Sequence, residues 1–517
     1  MPLFKKSSRQ VAAHSSSWFV RFAIAGLLAA GFAQHPVHAA TTTYTSVYAG
    51  GTISPSDTVL LNDGATVTGN VVANGTLQFN QTGSLTISNT ISGTGALSMT
   101  NTGTLNLTGG SALGGGIALD MTTSAAAGLL QIRSGTGAFY VGYTGTGSLS
   151  VAGGNVTTGA LTLSNTSTAF GSVTVSSGTL TAANFAIGGN GTGTLNMTGG
   201  SIVCLSPYIG NNAPGVGTFT MSGGTVTSAG SGMGVGYSGK GTLNLNGGNF
   251  TNSAGGYVAY NLGSSGTVNV TSGTLAVTNE MSLGRLGNAT LNLSGGRVSS
   301  GFGSLGSGTS GVATATVSGG SWISTGTLGI GGNGTGTLNV TGGNVTNTSA
   351  AIGSGTGTGT VNVSSGTWAS SGGLLIGGGG SGTLNVTGGS VTSTSGTLGS
   401  GTTGRGVATV SSGTWAVGGN LVVGSSGTGT LTMSGGLVTV GGTLSRNASS
   451  TINLDAGGTL QIGTGTTGGV LLGGTGSFVN NGTLIFNRSN ASTYSGVLSG
   501  SGAVVKQGAG ALTLSGS

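Results

Sequence analysis

Cysteine, proline, histidine and charge are all scarce in this chain, and each scarcity removes a class of structure or function. Cys204 is the lone cysteine of 517 residues, so no intramolecular disulfide staples the fold. A chain so poor in thiols also suits passage through an oxidising compartment without premature cross-linking. Proline occurs only 5 times against 115 glycines, which excludes the collagen pattern of Gly at every third position with abundant proline. Charged residues make up 3% of the chain and hydrophobic ones 36%. Disordered chains have the opposite balance, high charge and few β-forming residues.

The histidines, His14, His35 and His38, all fall in an N-terminal segment with the pattern of a secretory leader. Lys5, Lys6, Arg9 and Arg21 form a basic stretch, residues 22–33 are apolar, and Val37, His38 and Ala39 supply the compact positions before a cut. Residues 1–39 are therefore expected to be a signal peptide, removed after Ala39 or Ala40. About 12 apolar residues are too few for a comfortable membrane span, so the expectation is that the chain is exported and, in the part shown, not anchored by a helix.

Without its leader the chain has no histidine, hence no Ser-His-Asp or Cys-His arrangement and no imidazole metal ligand. The remaining carboxylates are Asp57, Asp63, Asp120, Glu280 and Asp455. Only Asp57 and Asp63 are close in sequence, and they lie in an entry segment that contains Pro55 and reads as solvated turn. Neither the carboxylate pair of a glycosidase nor the acid and basic cluster of a polysaccharide lyase is present. No catalytic, cofactor-binding or metal-binding residue is expected. Arg133, Lys240, Arg285, Arg297, Arg405, Arg446, Arg488 and Lys506 are scattered, whereas nucleic-acid binding needs a clustered basic face. No nucleic-acid partner is expected.

What the chain does contain is a repeat. A short alternating stretch followed by Gly or Ser and then Gly places the second glycine at 154, 178, 200, 224, 248, 273, 296, 320, 343, 366, 389, 413 and 436. From Gly154 to Gly436 is 282 residues in 12 steps, about 23.5 per step, within the range that marks solenoids. Five residues before the glycine runs a column from Leu149 and Val173 to Leu431. Three before it runs another from Val151 and Val175 to Met433. Polar residues separate the columns, so each line reads as a strand with one buried face. Two residues after the glycine a third column begins with Val156, Leu180 and Ile202 and ends with Val438. A weaker fourth holds Leu163, Ile187, Ile209, Val258, Ile352, Ile376, Leu398 and Val423.

One coil of about 23 residues cannot bury its inward face alone. Copies stacked at about 4.8 Å share backbone hydrogen bonds and merge their apolar columns into one core. The expected fold is an all-β parallel β-helix with coils of about 23–24 residues. Residues 40–144 form irregular N-terminal coils, 145–440 the regular repeats and 441–517 the C-terminal coils. The repeat glycine is expected at a corner that needs positive φ or close backbone passage, where alanine would cost on the order of 1 kcal/mol. Trp322, Trp368 and Trp415 take the third column at every second coil, with Val345, Val391 and Val438 between them, and are expected to pack in the core. The dinucleotide-like run at Gly329, Gly331 and Gly334 has no helix pattern after it and reads as a turn between coils. Tyr44, Tyr48, Tyr140, Tyr143, Tyr208, Tyr237, Tyr257 and Tyr260 read as packing or corner residues, with a sugar-binding face as the competing reading.

The most specific signal lies near the C-terminus. Asn481-Gly482-Thr483-Leu484-Ile485-Phe486, then Thr493-Tyr494-Ser495-Gly496, then Lys506-Gln507-Gly508-Ala509-Gly510-Ala511-Leu512-Thr513-Leu514-Ser515-Gly516 resembles the autotransporter-associated β-strand repeat. That repeat belongs to passenger regions of Gram-negative type V secreted proteins, and the upstream coils resemble such passengers in period and composition. The resemblance implies a right-handed β-helix exposed at the cell surface, often adhesive or aggregative, with no active-site residue to carry over. Partners would be host or bacterial surface glycans or proteins, or further copies of the chain. Family members usually continue into an outer-membrane β-barrel, whereas this chain stops at Ser517 inside a repeat, which implies a truncated passenger or a barrel on another chain. The final apolar strand, Ala511 to Ser515, is then expected to pair end to end with a second copy or to fray from the C-terminus. The alternatives are a secreted matrix or surface-layer protein of the same fold and, third, a carbohydrate-active β-helix enzyme.

Overall fold

The computed structural model describes residues 39–89, 91–93, 96–99, 104–107, 111–113, 117–119, 122–125, 129–132, 138–471 and 478–515. Residues 1–38 of the expected leader, together with Asp120 and Arg133, lie outside them. From Ala39 onward the chain forms one unit. Its described residues contain strands, turns and bends but no helix, and so none long and apolar enough to cross a membrane.

A single turn shows how the sequence makes the geometry. Strand Thr335–Asn347 carries Leu338 and Val340 inward on a first face, bends at 341–343, and carries Val345 inward on a second. Strand Ser349–Ile352 forms a third face with Ala350 and Ile352 inward, and residues 353–357 lead into the next turn. That turn lies parallel to the first, with Thr335 opposite Thr358, Val340 opposite Val363 and Asn344 opposite Thr367. The inward residues follow the strand period of two. Each corner resets the phase.

Stacking repeats this rung by rung. Leu149 pairs with Val173, Val173 with Leu195, and so on without a slip to Leu431, through twelve parallel registers. The second and third columns are ladders of the same kind. The fourth is continuous where the sequence left gaps, since Val235, Leu283, Leu305 and Ile330 complete it. The N-terminal coils keep the same arrangement with shorter turns: Val59 pairs with Leu77, Leu77 with Leu97 and Leu97 with Ile117. One hydrophobic core runs from Tyr48 to Tyr494. Each fully buried Val or Leu in it contributes about 1.5–3 kcal/mol relative to exposure.

The tryptophans are buried in the third column as expected, and their bulk is matched elsewhere. A Cβ on Gly303 would lie 3.2 Å from the Trp322 indole, and one on Gly396 3.1 Å from that of Trp415. These positions share an inward ladder with Leu328, Ala350, Leu374 and Leu421. Each Trp coil therefore carries Leu in this ladder, and the coil before it carries Gly or Ala. The indole N–H groups need partners as well. Trp368 donates to Asn347 Oδ1 at 2.7 Å and Trp415 to Ser393 Oγ at 3.3 Å, whereas Trp322 Nε1 and the buried Ser300 Oγ, one coil back, have none.

The repeat glycines serve the corner in both anticipated ways. Gly320 has φ +63°, whereas Gly343 stays at ordinary φ but passes so close to the previous coil that a Cβ would sit 2.6 Å from the Gly319 carbonyl oxygen. A second set of left-handed residues closes each turn between the third face and the next first face. It includes Gly210, Gly236, Gly331 and Gly377, and its non-glycine members are Ser164 at φ 64° and Ala259 at φ 58°. Their N–H groups hold the preceding coil, as when Gly377 donates to Ile352 at 2.7 Å.

Candidate ligand-binding site

Most of the outer surface offers little chemistry. The first face presents Thr and Asn in ladders, with the Asn362 amide donating to Asn339 Oδ1 at 2.8 Å and the Asn385 amide to Asn362 Oδ1 at 2.9 Å. These bonds straighten the rungs and consume the amides. A hollow of about 370 Å³ at the second corner is lined by Ser, Thr, Asn and Ala alone. It has neither ring nor charge.

The sequence candidates fall apart in space. Asp57 and Asp63 stand at opposite ends of strand Thr58–Asn62, about 20 Å apart by strand rise, far beyond the separation of a glycosidase pair. Asp57 accepts from the Ala40 amide at 3.2 Å, and Asp63 accepts from the Thr82 amide and hydroxyl at 2.5 and 2.6 Å. The Thr82 hydroxyl and amide bonds hold Asp63 below the ordinary carboxylate range, although its carboxylate is open to solvent. Both are turn caps. Lys240, Arg297 and Arg405 have Ser, Thr or Val as rung neighbours, so none of these three stacks on another cation. Gly331 to Gly334 form the turn between coils. Cys204 is buried, and loss of water pushes its thiol up to about 12. No group of three or more His, Cys, Asp or Glu residues that could hold a metal occurs among the described residues.

The tyrosines are a different matter, because stacking gathers them. Tyr44 and Tyr48 pair at 4.8 Å between ring centroids, and Tyr140 and Tyr143 at 5.0 Å. At the third corner the pairing extends over several coils. Tyr208 meets Tyr237 edge-on at 4.9 Å, Tyr237 stacks on Tyr260 at 4.8 Å with 8° between planes, and Tyr257 meets Tyr260 edge-on at 5.0 Å. The Arg285 guanidinium lies 4.5 Å from the Tyr260 ring centroid. Gly234 makes this possible, because a Cβ there would lie 2.8 Å from Tyr208 and 3.1 Å from Tyr237. Burial, with the neighbouring rings, raises the Tyr237 phenol above its ordinary value.

Beside this stack lies a hollow of about 280 Å³ lined by Tyr257, Tyr260, Glu280, Ser282, Arg285 and Ser307. It exists because the outward ladder on the third face steps from Tyr257 to Ser282 and then to Ser304, so two small residues follow a large one. Ser304 Oγ donates to Glu280 Oε1 at 2.6 Å and lies 3.0 Å from Ser282 Oγ. The site thus combines a ring, a carboxylate, a guanidinium and hydroxyls within one corner. Sequence reasoning named the tyrosines but not Glu280 and Arg285 as their companions. The available signal was the spacing: Tyr237, Tyr260 and Arg285 are 23 and 25 residues apart, one coil each. Set against family models, curated proteins and solved structures, the chain matches none of them.

Proposed function

We propose that this chain is the exposed passenger of an autotransporter-like protein, with a structural or adhesive role at the cell surface or outside the cell and no catalytic step of its own. The observation that carries the reading is the behaviour of the segment resembling the autotransporter-associated repeat. Strand Thr483–Phe486 stacks on Thr459–Ile462 and in turn receives Ala503–Lys506, while Ser492–Tyr494 pairs with Leu512–Leu514. Strands Thr483–Phe486 and Ala503–Lys506 therefore continue the same ladder, while Ser492–Tyr494 and Leu512–Leu514 form a separate two-stranded sheet of their own. Arg488 within it is buried and donates to the Thr467 and Gly469 carbonyls and to Asn490, which ties the residue 463–469 turn to the segment. A solenoid suits export because each turn needs only its neighbour to fold and can be added in sequence order.

The test is an epitope inserted at the exposed loop of Thr309 and Ser310 in the native gene, followed by protease treatment of intact cells. The passenger reading expects the epitope to be removed without lysis. An epitope recovered in the medium from wild-type cells favours the matrix alternative, and one protected until lysis overturns export altogether.

A further inference from the structure

We propose that the corner hollow between Tyr257 and Arg285 binds a neutral saccharide. The proposal names a ligand for the adhesive role above and rests on that reading only for its biological setting. A volume of about 280 Å³ falls just below the range of drug-sized ligand pockets, roughly 300 to 1,000 Å³. It admits a pyranose ring with the rest of a chain projecting outward. A pyranose has a face of C–H groups and a rim of hydroxyls, each both donor and acceptor. It therefore calls for an aromatic surface with donors and acceptors beside it. Tyr257 supplies the surface, Arg285 only donates, the Glu280 carboxylate accepts, and Ser282 and Ser307 do either.

Charge selects among polar ligands. One carboxylate and one guanidinium line the same hollow, so an anion would meet Glu280 and a cation would meet Arg285. A neutral polyol can satisfy both without leaving either charge opposed. The groups are also held in place before any ligand arrives. Tyr260 packs against Tyr237 at 4.8 Å and Arg285 at 4.5 Å. The Ser304 hydroxyl directs its proton to Glu280 Oε1, with Ser282 Oγ as its second acceptor. A carboxylate has room for further acceptor bonds beyond that one. A fixed site loses little freedom on binding, so even a few contacts yield measurable affinity.

Calorimetric titration of the purified chain tests this, with neutral trisaccharides of glucose, mannose, xylose and N-acetylglucosamine as probes. Galacturonate and glucosamine trisaccharides serve as anionic and cationic comparisons. At least one neutral probe is expected to bind saturably, and more tightly than either charged one. Tyr257→Ala and the near-isosteric Glu280→Gln should each weaken that binding by roughly tenfold or more, whereas Tyr143→Ala, at a separate ring pair, should leave it unchanged. Circular dichroism of each variant reports that the solenoid is retained. The proposal is overturned if no neutral probe binds, if a charged probe binds more tightly, or if folded Tyr257→Ala and Glu280→Gln bind as the wild type does. Binding in vitro by a chain that never leaves the cell would sink the passenger reading and keep the saccharide site. Surface exposure without binding would do the reverse.

Discussion

Val340 and Asn339 are neighbours in sequence with opposite duties. Val340 is fully buried in the second column, whereas the Asn339 side chain points outward and accepts from the Asn362 amide at 2.8 Å. Val340→Asp should therefore destabilise the adjoining coils by several kcal/mol, because it buries an unpaired charge. Asn339→Asp keeps the acceptor and should be nearly neutral. Limited proteolysis of the two variants separates them, and equal cleavage would mean that the inward assignment is wrong. Trp322 offers a gain instead of a loss. Its N–H and the Ser300 hydroxyl are both buried and unpartnered, while Asn347 satisfies Trp368 from the equivalent place. Ser300→Asn should raise the unfolding midpoint in denaturant, with a local gain of about 1 kcal/mol. No gain, or a loss, would show that the longer side chain does not reach the indole. Cys204 titrates on the alkaline side. Burial raises its thiol from 9.0 to about 12, so the folded state favours the protonated form. The stability it contributes is present below pH 9 and lost as the pH climbs toward 12. Alkylation at pH 8 should proceed only as the chain unfolds, and prompt labelling of native protein would contradict the burial.

At the scale of the strand and coil, the unit of construction is a pair of coils. Gly396 leaves room for the Trp415 indole, and Leu421 sits beside Gly396 in the ladder. Gly396→Leu should collide with the ring and cost about 1–3 kcal/mol, and Trp415→Val should cost about as much or more through the cavity it leaves. Combined, the two changes move bulk from one ladder to the other, so the double variant should be more stable than the sum of the single losses implies. Strict additivity by equilibrium denaturation would mean that the two positions do not share space. The apolar columns were legible in the sequence because a strand alternates with period two and every line ends on the same glycine. The left-handed positions that close each turn were not, because runs such as Gly331-Gly332 contain glycines whose roles differ only in φ. Ser164 and Ala259 break the composition signal altogether. The complement of each indole, Gly303 or Gly396, lies on another face of the coil before it, which a reading along one column does not visit.

Over the whole solenoid, variable coil length is absorbed at the corners while the ladders keep register. Leu195 to Phe219 is 24 residues, Leu243 to Val268 is 25 and Leu338 to Val361 is 23, yet each pair is directly opposed. This is also why the tyrosine corner was hard to see in advance. The rings of Tyr208 and Tyr237 touch although 29 residues separate them, a distance that matches no single period. Tyr237, Tyr260 and Arg285 do follow the period, and they form its inner stack. The central claim is that one period of sequence is one strand spacing in space. A distance between spin labels on the outward residues Thr242 and Thr360 tests it most directly, since Cys204 is buried and should not react. The labelled sites are linked by five successive pairings through Thr267, Thr290, Thr314 and Thr337. Their backbones should therefore be about 24 Å apart, at about 4.8 Å per rung. A narrow distribution near that value is the expected result, and a broad one centred beyond about 40 Å would contradict the stacked ladder.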